Sequence, residues 1–189
     1  LMILVLISPL LLGLALAIKY SSKGPVMFVQ KRTGYRGRKF GMYKFRTMVA
    51  NAEELKESLR HLNKHGADAI DFKIDKDPRV TPIGQWLRRS SLDELPQLWS
   101  IIKGDMSFVG PRPALYNQDD LIELRTHNGI DRLVPGLTGW AQINGRDELP
   151  IPEKVRLDAE YLRTHSFGLD LKIMFLTAWR VLRRDGVTH

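Results

Sequence analysis

The chain has no cysteine, which removes disulfides, thiolate metal sites and a thiol nucleophile from consideration and leaves the redox compartment open. Any metal it holds must be bound through oxygen or imidazole. Acidic residues are missing from its opening stretch. No Asp or Glu precedes Glu53, yet Lys19, Lys23, Lys31, Arg32, Arg36, Arg38, Lys39, Lys44 and Arg46 all fall there. Charge of either sign is missing from residues 1–18, which are interrupted only by Ser8, Pro9 and Gly13. The 189 residues carry a net charge of +8. That excess points to an anionic partner, which can be nucleic acid, an acidic membrane face or a phosphorylated substrate. The length suits one domain with an appended element rather than two independent domains.

As a straight helix the charge-free segment reaches about 27 Å, barely the thickness of a bilayer's hydrocarbon core. Pro9 stands at its centre, where it removes a backbone hydrogen bond and kinks the helix, and Ser8 is placed to satisfy a carbonyl freed in this way. A bent helix that enters and leaves by one face, a spanning helix and a signal peptide cleaved after Ala15-Leu16-Ala17 all remain open. The basic flank beyond Ile18 lies on the cytoplasmic side by the positive-inside rule.

Val26 to Gln30 and Phe40 to Phe45 read as the strands of a hairpin joined by a basic Gly34 to Gly37 loop, which is either a solvated tip or a contact for lipid phosphates. Val49 to Asn63 has helical periodicity. His61 and His65 are four apart but have no accompanying carboxylate motif, and they are assigned to the surface. Thr81-Pro82 caps a short helix to Arg89, which delivers Arg88 and Arg89 beside the next segment, Ser90-Ser91-Leu92-Asp93-Glu94-Leu95-Pro96-Gln97-Leu98-Trp99. In that segment Ser91 and Glu94 have the S-x-x-E spacing of a capping box. Asp93 and Glu94 are thereby expected in a first helical turn, held ionised by unpaired N–H groups and able to share the site with a phosphate or a divalent cation. Ordinary helix-starting acids are the plainer alternative.

Further on, Pro111 and Pro113 hold Arg112 in extended backbone, a stiff arrangement suited to binding phosphate or carboxylate or simply a rigid surface loop. Asn117 to His127 reads as a helix, and Leu137 to Ile143 as an extended run with glycine-rich ends, where Gln142, Asn144 and Arg146 offer donors. Trp140 reads as packing. Pro152 opens another helix to about His165. The last helix, Leu169 to about Arg184, combines large apolar residues with Trp179 and a basic end, as an interfacial helix does, although an amphipathic core helix has the same pattern.

Taken in order, Ser8-Pro9, Lys44-Phe45-Arg46-Thr47-Met48, Asp77-Pro78-Arg79, Ser91-Leu92-Asp93-Glu94-Leu95-Pro96-Gln97, Gly110-Pro111-Arg112-Pro113 and Gly136-Leu137-Thr138-Gly139-Trp140 resemble the bacterial sugar transferases. More narrowly, they resemble the monotopic polyprenyl-phosphate phosphoglycosyl transferases. The resemblance implies an α+β, mainly helical fold with interfacial amphipathic helices and a small β-hairpin or sheet. Residues 1–20 would form a re-entrant membrane helix broken at Ser8-Pro9, and residues 21–189 a membrane-associated catalytic domain on the cytoplasmic face of the bacterial inner membrane. It further implies transfer of a phosphosugar from a nucleotide sugar, usually a UDP-sugar, to polyprenyl (undecaprenyl) phosphate with release of UMP, dependent on Mg2+. Asp93 would be the nucleophile and would form a covalent phosphosugar intermediate, with Glu94 its partner at the metal. Arg88, Pro111, Arg112, Pro113, Gln142 and Arg146 would serve substrate binding.

Physical chemistry supports that assignment separately. A carboxylate approaching a diphosphate meets about 4 kcal/mol of repulsion per opposed unit pair at 4 Å and an effective dielectric near 20. Mg2+ together with arginines can offset it. Two rivals stand: direct attack by polyprenyl phosphate in a ternary complex, and, suggested by charge alone, a membrane-tethered nucleic-acid-binding module. The second lacks a recognisable binding motif, so no nucleic-acid partner is expected.

Overall fold

The computed structural model describes residues 2–63, 72, 74, 76–145 and 149–183. Its helices are α1 (Met2–Ser21), α2 (Glu54–Ser58), α3 (Pro82–Arg89), α4 (Gln97–Ile102), α5 (Asp119–His127), α6 (Trp140–Ile143), α7 (Ile151–Thr164) and α8 (Phe167–Arg183). The strands are β1 (Met27–Thr33), β2 (Lys39–Phe45), β3 (Ser107–Val109), β4 (Ala114–Leu115) and β5 (Gly136–Thr138). One sheet has the order β2-β1-β4, and β3 pairs with β5 in a second. The expected α+β, mainly helical class is what the described residues adopt. The chain divides into two compact units, the first from residues up to Phe28 together with Tyr43–Pro96, the second from Val29–Met42 together with the chain from Gln97.

In the first unit, α1 is helical from Met2 through Pro9 to Ser21. Proline at position 9 leaves the Val5 carbonyl without its helical donor, and the Ser8 hydroxyl donates to that same carbonyl at 2.7 Å. Among the described residues no helix is long and apolar enough to cross a membrane. Leu14 and Ile18 are buried with Phe45 and Leu87, and Leu11, Ala15, Val26, Ile83, Leu92 and Leu95 pack around them. Val5, Leu6, Leu10, Leu12 and Leu16 are exposed. Where the chain leaves α1, the Arg46 guanidinium donates to the carbonyls of Lys23 and Ser22, a favourable place for a cation at a helix C-terminus.

Helix α3 forms as its sequence dictates. Thr81 has extended backbone and its hydroxyl accepts from the Gly84 N–H, with Pro82 at the first helical position. Gly84 is there for proximity: a Cβ at this position would stand 2.0 Å from the Thr47 carbonyl oxygen. The helical stretch expected over Val49 to Asn63 is shorter than its periodicity, consisting of α2 and a 3-10 turn at Arg60–Leu62. It buries no residue within either element, so no packed face is available to extend it.

The second unit has two apolar clusters. Val109, Ile143, Tyr161 and Ile173 form one, with Trp140 packed against it as expected; Ala114, Leu121, Ile130 and Val155 form the other. Strand β3 runs parallel to β5, with Ser107 opposite Gly136 and Val109 opposite Thr138. The extended run expected from Leu137 to Ile143 is a strand only as far as Thr138. After Gly139 it turns into α6, which buries Ala141 and Ile143. Along α8, Ile173 is buried, while Phe167, Leu171, Phe175, Trp179 and Leu182 are exposed. Phe175 stacks on Trp179, and the Arg183 guanidinium lies 4.3 Å from the indole centroid.

Candidate active site

The centre of the first unit is the tight turn that carries Asp93 and Glu94. Helix α3 ends at Arg89, Ser91 takes a left-handed conformation at φ 55°, and Leu92–Glu94 form a 3-10 turn before α4 begins at Gln97. The expected capping box is therefore not formed. A capping serine needs extended backbone, whereas Ser91 is already used to turn the chain off α3 and its side chain makes no capping hydrogen bond. The two carboxylates precede the α-helix instead of lying in its first turn. Left-handed backbone at a non-glycine residue costs on the order of 1–2 kcal/mol. Leu92 and Leu95, on either side of the acidic pair, pack partly buried against the core that contains Leu14 and Ile18 and offset that cost.

Two cations meet the pair. Lys44, near the end of β2, places Nζ 2.8 Å from Glu94 Oε1, and both side chains are largely buried, with 17% and 22% exposure. From the last turn of α3, Arg88 donates from Nε to Thr47 Oγ1 at 2.9 Å, and its charge acts on Asp93. Behind it, Asp77 binds Arg79 at 2.6 Å in a pair that is almost fully buried. Asp93 itself departs from expectation. Burial, then the adjacent Glu94, raise its pKa to about 6, against the opposing pull of Lys44 and Arg88. The Asp93 carboxyl therefore takes up its proton well above the ordinary aspartate range.

The residues singled out from sequence fall in different places. Arg88 joins Asp93 and Glu94 in the first unit, and Ser8 and Pro9 lie in α1. Pro111, Arg112, Pro113 and Gln142 belong to the second unit. The Gly110 to Pro113 segment is as rigid there as its prolines imply: Arg125 donates to the Arg112 carbonyl at 2.7 Å and Arg32 to the Pro113 carbonyl at 3.0 Å. Arg125 is fixed in turn by Asp158 at 2.6 Å. Gln142 lies in α6, and among the described residues neither end of its buried amide has a hydrogen-bond partner. His61 is exposed, as expected. Arg146 and His65 lie outside the described residues.

Sequence reasoning did not single out Lys44 or Thr47 as site residues. The available signal was alternation along β2: a buried Phe45 puts Lys44 on the opposite face. Among the described residues no group of three His, Cys, Asp or Glu is placed to hold a metal ion. Two adjacent carboxylates nevertheless fit Mg2+, which commonly takes one or two carboxylates and completes its shell with water and substrate phosphates.

The model of the family described as "Bacterial sugar transferase" matches residues 1–184. The chain is 43% identical over 190 residues to the undecaprenyl-phosphate glucose phosphotransferase of Komagataeibacter xylinus, covering 95% of this chain and 33% of that protein. It is 41% identical over 190 residues to the undecaprenyl-phosphate galactose phosphotransferase of Salmonella typhimurium, with 98% and 39% covered. It is also 41% identical over 181 residues to the UDP-glucose:undecaprenyl-phosphate glucose-1-phosphate transferase of Xanthomonas campestris pv. campestris, with 92% and 35% covered. The chain thus spans about a third to two fifths of the length of these relatives. The family match runs through both units and includes Lys44, Arg88, Asp93 and Glu94, and this chain belongs to the bacterial sugar transferase family.

Proposed function

We propose that the chain transfers a sugar phosphate from a nucleotide sugar, with a UDP-sugar the first candidate, to undecaprenyl phosphate, and that Asp93 carries the sugar phosphate between the two. The observation that carries this reading is the convergence of Lys44 and Arg88 on adjacent, half-buried carboxylates, one of them with its pKa raised to about 6. The names of the relatives support the substrate classes, and they differ in the sugar, glucose in one and galactose in another.

In the first step an Asp93 carboxylate oxygen attacks the phosphorus that bears the sugar. The P–O–P bond breaks and the nucleoside monophosphate leaves. In the second, a phosphate oxygen of undecaprenyl phosphate attacks the same phosphorus, giving the diphosphate-linked sugar and restoring the Asp93 carboxylate. Splitting the reaction lets one centre serve a soluble donor and a lipid acceptor in turn. Arg88 offsets phosphate charge, and Lys44 holds Glu94 and restrains the rise of the Asp93 pKa. Mg2+ held by Asp93 and Glu94 would supply the remaining charge neutralisation at the diphosphate.

Residues 1–20 serve in this reading as a re-entrant membrane helix, with residues 21–189 on the cytoplasmic face of the inner membrane. The exposed leucines of α1 and the Ser8 bond to the Val5 carbonyl support it, because a backbone carbonyl freed by proline in lipid must find a donor within the protein. The apolar and aromatic stripe of α8 is suited to the interface.

A screen of nucleotide sugars with undecaprenyl phosphate is expected to release nucleoside monophosphate with one or a few donors and to lose this on chelation of divalent ions. Parallel initial-rate lines are expected, whereas intersecting lines would favour the ternary complex. Asp93→Asn should lower kcat by at least about 10³-fold. Tags at the two ends of the chain should be accessible from the same side of the membrane; a tag before Leu1 found on the far side would show a spanning helix.

Stability should respond to pH as well. The folded pKa of Asp93 is raised from an ordinary 3.8 to about 6, so the folded state binds more protons between those values. The contribution is fully present below pH 3.8 and is lost as pH rises through about 6. In metal-free buffer Asp93→Asn should therefore be more stable than the parent above pH 7, by up to about 3 kcal/mol. Denaturant midpoints at pH 4 and pH 8 should show the difference shrinking toward acid pH, and an unchanged difference would contradict the assignment.

A further inference from the structure

We infer that Thr47 is a positioning residue that aims the Arg88 guanidinium. Among the described residues Arg88 makes a single side-chain hydrogen bond, from Nε to Thr47 Oγ1 at 2.9 Å. A guanidinium pinned at Nε still has its two outer nitrogens to offer as a pair, the fork that matches two oxygens of a phosphate. The tether thus occupies the nitrogen that leaves this fork free.

Thr47 is suited to the role because its own place is fixed from several directions. Its carbonyl accepts from the Thr81 N–H at 3.0 Å and from the Thr81 hydroxyl at 3.3 Å. Gly84 lies so close that a Cβ there would meet the Thr47 carbonyl oxygen at 2.0 Å and its Cα at 2.8 Å. Gly84 and Arg88 are four apart on α3 and so share one face of the helix. The start of α3 is built around the Thr47 carbonyl, and its last turn reaches the Thr47 hydroxyl. The three residues before Thr47 are Arg46, bound to the carbonyls at the exit of α1, Phe45, buried in the α1 core, and Lys44, bound to Glu94. One short segment therefore places both cations of the site.

The inference rests on the proposal that Arg88 meets the donor's diphosphate, and the test separates the two. Thr47→Ser, Thr47→Val, Arg88→Gln and the Arg88→Gln/Thr47→Val double variant are compared with the parent for kcat and KM toward the nucleotide sugar. Calorimetry measures their affinity for UDP with Mg2+, and melting temperature checks folding. Thr47→Ser should stay within about twofold of the parent, and Thr47→Val should lose about tenfold or more in kcat/KM and weaken UDP binding. In the Arg88→Gln background the valine should change neither quantity further, because Thr47 acts through the arginine.

The inference is overturned if the valine variant matches the parent, if it loses the same factor in the Arg88→Gln background, or if the serine variant is as impaired as the valine. Should the valine variant not fold, Thr47→Ala takes its place under the same criteria. A parent that binds UDP with this dependence yet turns over no nucleotide sugar overturns the functional reading alone. A parent that neither binds nor turns over overturns both.

Discussion

Two carboxylates on consecutive residues, half-buried and held in one tight turn, are the arrangement around which the first unit is organised. At close range each opposed pair of unit charges costs about 4 kcal/mol at an effective dielectric near 20, so the pair needs cations fixed in place before any anionic substrate arrives. Lys44 on Glu94 and Arg88 near Asp93 are those cations. They are insufficient to keep the Asp93 pKa at its ordinary value, because burial and the neighbouring charge outweigh them. The residual imbalance suits a nucleophile: a carboxylate that is poorly solvated and incompletely paired gains most from bonding to phosphorus.

The rest of the unit follows from holding this turn still. Leu92 and Leu95 anchor it in the core that α1, Phe45 and Leu87 share. Arg46 binds the carbonyls at the exit of α1, so the segment that places Lys44 and Thr47 also fixes where the apolar helix ends. A helix with exposed leucines and the turn that carries Asp93 and Glu94 are in this way joined through four consecutive residues, Lys44 to Thr47. In the second unit the Asp158–Arg125 pair performs a comparable service for the Arg112 backbone. Removing one member of such a buried pair typically costs 3–5 kcal/mol.

What was legible in the sequence was what local chemistry decides. Thr81-Pro82 announces the start of α3, and the prolines around Arg112 a stiff segment. Asp93, Glu94 and Arg88 could be grouped because they lie within one short stretch. The capping-box expectation failed because Ser91 had a competing use at the end of α3 that spacing alone does not reveal. Trp140 to Ile143 coils because Ala141 and Ile143 have a core to enter, a tertiary demand that overrides an extended pattern. Lys44 and Thr47 reach their partners across 50 and 41 residues. No periodicity within one sequence carries contacts of that separation.

The central claim is that Asp93 carries the transferred group. It is tested most directly by the intact mass of the purified protein after brief exposure to its nucleotide sugar and Mg2+ with no lipid acceptor. The account predicts a mass increase equal to one sugar phosphate, located at Asp93 by fragmentation, lost on adding undecaprenyl phosphate and absent from Asp93→Asn. A parent that turns over normally but shows no adduct under rapid quench, together with an Asp93→Asn variant that retains full turnover, would contradict it.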